Sequence, residues 1–184
     1  APSRPEGDAP SVTSPLAGGS SGLRRGILIH RMLQLLADIP DTDRDKAARH
    51  FAQAQSAEFT DAAQAEMVAT TLEVLRTKEF GAVFGPGSRA EVSVAGTVGG
   101  TVIAGQIDRL VVTDHDLLIV DFKTHRPPPK AEAQVPTLYM RQMAAYRGVI
   151  RAVYPDKPVR CALLWTDGPR LMPLSDAGLD AAAP

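Results

Sequence analysis

Residues 117–130 read LLIVDFKTHRPPPK, an apolar run that enters Asp121, Lys123 and His125 directly and stops at three prolines. A carboxylate or ammonium at the end of a buried strand must be paired, bound to a cation or open to water. Asp121 and Lys123 are two residues apart and share one face of a strand, which alone amounts to a surface ion pair. The preceding segment, TVIAGQIDRLVVT (101–113), adds a second carboxylate. If Asp114 and His115 form a two-residue hairpin loop, Thr113 faces Asp116 and the count back along both strands sets Asp108 opposite Asp121. Two carboxylates opposed on one face repel unless a proton or a cation stands between them. A divalent cation resolves the conflict. Carboxylate oxygens with retained waters suit Mg²⁺ or Mn²⁺, and an imidazole from His30 would shift the preference modestly toward Mn²⁺. Lys123 beside such an ion would stabilise a hydroxide nucleophile or a charged phosphorane.

The elements that must carry these groups follow from periodicity. Residues 1–22, APSRPEGDAPSVTSPLAGGSSG, have the Pro-, Gly- and Ser-rich composition of a flexible linker, read as a tether to a longer polypeptide. Leu28, Met32, Leu35 and Leu36 follow a helical repeat within residues 23–39, and Pro40 ends it. On that helix Leu28, Ile29, Met32, Leu33, Leu35 and Leu36 fill one arc, while His30, Arg31 and Gln34 share the remaining sector with Ile27. A polar connector helix is expected around 43–54, then a scaffold helix capped by Thr60 and running to about Phe80. Strands follow at 89–96, 101–113 and 117–124, joined by GTVGG and DHD turns into an antiparallel meander. A helix over 135–154 and closing strands at 159–167 and 170–174 complete a domain of residues 23–176, leaving 177–184 as a C-terminal tail.

With 184 residues, 44% of them hydrophobic and 22% charged, the chain can bury the core of one domain. Its single cysteine, Cys161, excludes a disulfide framework, a four-cysteine zinc site and a cysteine-ligated iron–sulfur cluster within the chain, and fits a reducing, cytoplasmic compartment. No run approaches the roughly 18 apolar residues of a membrane span, so no membrane partner is expected. A formal net charge of −1 gives no global basic footprint for nucleic acid. No phosphate-cradling G-x-x-x-x-G-K-[ST] loop occurs, so no nucleotide is expected to bind and an ATP-driven motor is not part of this chain.

The ordered set RGILIH, Glu91, GQIDR, VDFKT and QMAAY resembles the PD-(D/E)xK nuclease superfamily, in particular the nuclease domains at the C-termini of bacterial RecB- and AddA-type recombination helicases. The resemblance spans about Arg24 to Leu174. It implies an α/β fold with a restriction-endonuclease-like mixed sheet in α-β-β-β-α-β order plus extra N-terminal helices. It also implies a metal held by His30, Asp108, Asp121 and the Phe122 carbonyl, with Asp108, Asp121 and Lys123 as the catalytic group. Gln142 and Tyr146, one helical turn apart, would support them. For Glu91, a solvated strand residue and a supporting carboxylate are equally open. Arg126, Lys130, Arg141, Arg147 and Arg151 are candidate phosphate contacts or solvated charges. The implied activity is Mg²⁺- or Mn²⁺-dependent hydrolysis of single-stranded DNA in double-strand-break repair. The strand would be fed by helicase domains N-terminal in the same polypeptide, working with an AddB-type partner subunit. The alternatives are a catalytically silent nuclease fold that binds DNA or protein, and a stand-alone nuclease of the Cas4 or phage-exonuclease kind.

Overall fold

A computed structural model describes residues 19–184, with side chains from residue 21. The first helix, α1 (Gly19–Leu36), begins inside the stretch read as linker; residues 1–18 of that stretch lie outside the described residues. Leu28, Ile29, Met32, Leu33 and Leu36 are buried as the helical arc predicts, but Leu35 departs from it with 56% of its surface exposed. Next come α2 (Asp41–Gln55) and α3 (Asp61–Arg76). Asp41 and Asp43 in the first turn of α2 complement the positive end of the helix dipole. Thr60 caps α3 by accepting a hydrogen bond from the Ala63 N–H at 3.3 Å.

The strands β1 (Ser88–Val98), β2 (Thr101–Val112) and β3 (Leu117–Lys123) form the expected meander. Gly99 and Gly100, with φ of 56° and 84°, make the two-residue turn between β1 and β2, where positive φ at both positions suits the twist of the hairpin. The helix α4 (Thr137–Val153) then carries the chain across to β4 (Val159–Trp165), which lies parallel to β3, and β5 (Arg170–Leu174) returns antiparallel. The five strands lie in the order β1-β2-β3-β4-β5. This is the mixed α/β arrangement of a restriction-endonuclease-like core.

The sheet is covered on both faces. Leu117 and Ile119 of β3 pack with Met143, Ala144 and Ile150 of α4, whereas Val120 and Phe122 pack with Leu28, Met32 and Leu33 of α1 and Met67 and Leu72 of α3. A strand buried on both faces needs an unbroken apolar run, which accounts for the LLIV that leads to Asp121. A short helix, α5 (Asp176–Ala181), begins at the last residue of the expected domain and runs into the stretch read as tail. Ser175 caps it by accepting from the Gly178 N–H, and Leu179 is buried beneath it. Among the described residues no helix is long and apolar enough to cross a membrane.

Candidate active site

The β2–β3 hairpin sets the register of the site. The Thr113 N–H donates to the Asp116 carbonyl at 3.0 Å across the Asp114-His115 loop, and the ladder runs from Val112↔Leu117 to Arg109↔Val120. There the ladder ends, one step short of Asp108 and Asp121. The Asp108 carboxylate takes over, its Oδ2 accepting from the Phe122 N–H at 2.6 Å. Asp108 is therefore held by the backbone of β3 itself, and both carboxylates line one cavity with His30, Glu91, Lys123, Gln142 and Tyr146.

Each group has a defined partner. His30 Nδ1 lies 3.6 Å from Asp108 Oδ1, and its ring stands edge-on to Phe122 with centroids 5.6 Å apart. Lys123 Nζ lies 2.5 Å from Asp121 Oδ2, donates to Gln142 Oε1 at 3.0 Å and sits 4.1 Å over the Tyr139 ring. Gln142 Nε2 in turn donates to the Tyr146 hydroxyl at 3.4 Å. Asp121 and Lys123 are 4% and 6% exposed, so each is the other's main compensation for desolvation. A Cβ on Gly105 would stand 2.4 Å from the Tyr146 hydroxyl, so this glycine lets the Tyr146 side chain lie against β2. Likewise a Cβ on Gly26 would meet Thr124 Oγ1 at 2.7 Å, so this glycine brings α1 against the end of β3.

The two carboxyls are driven in opposite directions. Burial pushes Asp121 upward, and the Asp108 charge adds to it against the opposing pull of Lys123. Burial also works against a charged Asp108, but His30, the Phe122 N–H and Lys123 outweigh it and hold the group below the usual carboxylate range. His30 is raised: burial opposes its charge, and the Asp108 and Asp121 carboxylates more than offset that. Glu91, at the position the β1–β2 ladder skips between Ala90↔Arg109 and Val92↔Ile107 and with φ of 53°, is raised by burial and by Asp108. A non-glycine residue in the left-handed region within a strand is held there by its surroundings.

Among the described residues, no three His, Cys, Asp or Glu side chains are gathered as a ready-made metal cage. His30 engages Asp108, and Lys123 engages Asp121. In kind, two carboxylates and one imidazole facing one cavity are a donor set for a hard divalent cation.

The basic residues divide. Arg147 is 3% exposed and ion-paired to Asp176 and Asp180 of α5, which commits it to docking that helix and removes it as a phosphate contact. Arg151 also pairs with Asp176. Arg126 pairs with Glu66 and Asp167. Lys130 and Arg141 are exposed. His125 and Phe122 line the cavity.

Several residues at the site were not singled out from sequence. Tyr139 lies beneath the Lys123 ammonium, and its spacing to Gln142 and Tyr146 along α4 was the available signal. Leu23 and Ile27 of α1, both partly exposed, wall the cavity with Arg31 and Gln34. Glu66 lies on α3, the helix read as scaffold. It accepts from Arg25 and Arg126 and so ties α1 to the loop after Lys123.

Comparison with curated proteins gives no match. A solved structure titled "Crystal structure of SSO0001" aligns over 84% of this chain and 71% of its own, at 15% identity and a TM-score of 0.34, too slight a likeness to carry weight. The family described as the PD-(D/E)XK nuclease superfamily matches residues 14–176, a span that takes in every element from α1 to β5. The chain belongs to the PD-(D/E)XK nuclease superfamily.

Proposed function

We propose that the chain is a divalent-metal-dependent deoxyribonuclease domain that hydrolyses phosphodiester bonds in single-stranded DNA. The observation that carries this reading is the pair of a partly buried Asp108 and a buried Asp121 on one cavity, with protonation driven in opposite directions, and with Lys123 Nζ 2.5 Å from the second. Nucleases of this superfamily typically depend on a divalent metal. Here Asp108, Asp121, the Phe122 carbonyl and His30 would hold Mg²⁺ or Mn²⁺. Such an ion polarises a phosphoryl oxygen and lowers the pKa of water. Lys123, steadied by Gln142 and the Tyr139 ring, places a cation where negative charge builds on the phosphoryl group. Gln142, whose amide donates to the Tyr146 hydroxyl, holds that ammonium from the α4 side. Asp108, fixed by the Phe122 N–H, cannot swing away from β3.

The proposed setting rests on motif order alone. It is a cytoplasmic helicase–nuclease of the AddA type, in which N-terminal helicase domains of the same polypeptide deliver the strand and an AddB-type subunit is the partner in recombinational repair. A near-neutral domain gains little from long-range attraction to DNA, so delivery by a tethered motor would supply local concentration. The test is cleavage of matched end-labelled substrates in Mg²⁺ and in Mn²⁺. Single strands should be cut far faster than blunt duplex. Equal cleavage of both would point to a free-standing nuclease, and cleavage of neither, with DNA still bound, to a silent binding module.

A further inference from the structure

We propose that the groove between β2 and α4, beside the catalytic cavity, is a subsite for the base of a nucleotide flanking the scissile phosphate in an unpaired strand. The inference rests on the nuclease reading and names how that site would take its substrate. The groove encloses about 500 Å³ and is walled by Val102, Ile103 and Ala104 of β2 and Leu138 and Ala145 of α4, with Arg141 alongside and the segment from Ala182 to Pro184 on its remaining side. It adjoins the catalytic cavity: Gln142 and Tyr146 line both. A strand whose phosphate lies at Asp121 and Lys123 would reach it by crossing Gln142 and Tyr146.

The groove's chemistry selects the occupant. No Asp or Glu side chain lines it. Val102 is 78% exposed, a branched apolar side chain left facing solvent near the hairpin tip. Among the described residues Arg141 has no ion-pair or hydrogen-bond partner, whereas Arg147 and Arg151 on the same helix are paired to α5. An apolar wall with one available guanidinium fits a base against the wall and its phosphate on the arginine. A base inside a duplex has its faces covered by its neighbours, so only an unpaired one can present a face to such a wall. The groove thus favours a single strand at the position next to the cut.

The experiment measures binding of an end-labelled oligothymidylate of about twelve nucleotides by fluorescence anisotropy. Ca²⁺ supplies the divalent charge, and a second oligonucleotide carries abasic sites along its centre. Val102→Asp and Arg141→Gln are compared with the parent, with thermal midpoints measured to show that all are folded. The expected result is that each variant weakens binding about fivefold or more. Abasic sites should weaken the parent but not Val102→Asp further, and Arg141→Gln should reduce the salt slope by about one. The proposal is overturned if both variants bind like the parent, if Val102→Asp keeps the abasic penalty, or if the parent binds no oligonucleotide. Binding that follows the expectation with no product in Mg²⁺ sustains the groove and removes the hydrolytic reading. Cleavage that proceeds with both variants binding and cutting like the parent removes the groove alone.

Discussion

Lys123 answers to three groups at once: Asp121 at 2.5 Å, Gln142 at 3.0 Å and the face of Tyr139 at 4.1 Å. Its position separates two roles that adjacent charges often blur. Asp121→Ala removes an anionic oxygen donor, so calorimetric binding of Mn²⁺ and cleavage should both be lost. Lys123→Ala removes a positive neighbour of the metal, so Mn²⁺ binding should persist or tighten while cleavage falls about 10²-fold through lost stabilisation of the transition state. A Lys123→Ala protein that cuts at near the parent rate would reduce Lys123 to a salt-bridge partner. The D-x-K spacing and the hairpin count were readable because strand geometry fixes which residues share a face and which oppose. The capping of Phe122 by Asp108 was not, because it arises where the ladder stops, and no sequence rule marks that point. The commitments of Arg126 and Arg147 were hidden for a related reason: charge is visible in sequence, but the acid that consumes it lies 29 to 60 residues away.

At the level of elements, α1, α3 and the loop after β3 meet at Glu66, which takes Arg25 from one side and Arg126 from another. Burial raises its carboxyl, but the two arginines and the Thr70 hydroxyl outweigh that and bring it down to about 2. A carboxyl lowered on folding contributes stability that is full above its unfolded value near 4.5 and lost as pH falls toward about 2. Glu66→Gln should therefore be less stable than the parent at neutral pH, by no more than about 1 kcal/mol because the side chain is 42% exposed. That difference should shrink as urea denaturation is repeated from pH 4.5 down to pH 2. A difference that stays constant across this range would show that Glu66 acts through packing. Strong periodicity made the helices and the meander legible, down to Thr60 as a cap, although α1 ends at Leu36, short of Pro40, which is the N-cap residue of α2. The start of α1 at Gly19 and the helix α5 were not, since GGSSG and DAGLDA carry little apolar repeat. Leu179, buried in the α4-side core, the Ser175 cap and the ion pairs of Asp176 and Asp180 with Arg147 give α5 a reason to form.

Across the whole molecule, β3 is common to both cores: Ile119 belongs to the α4 side, Val120 and Phe122 to the side of α1 and α3. Loss of either helical layer would uncover one face of the strand that carries Asp121, so the two layers should unfold together. Cys161 on β4 reports this. It is buried in the α4-side core with its Sγ donating to the Met143 carbonyl, and burial pushes the thiol up to about 12. At neutral pH a thiol reagent should modify Cys161 only as fast as the protein unfolds. Prompt labelling of the native protein would mean that β4 opens separately from the rest. The same burial that keeps this thiol inert keeps Asp121 and Lys123 nearly dry, and it is the cation-dependent use of that dry pair that defines the proposed enzyme. The direct measurement is hydrolysis of an end-labelled single-stranded oligonucleotide by the parent chain and by Asp121→Ala, each with Mg²⁺ or Mn²⁺ and again after EDTA. Cleavage by the parent that requires the divalent ion and is abolished in Asp121→Ala is the predicted result. Cleavage that survives EDTA, or that Asp121→Ala retains, would contradict it.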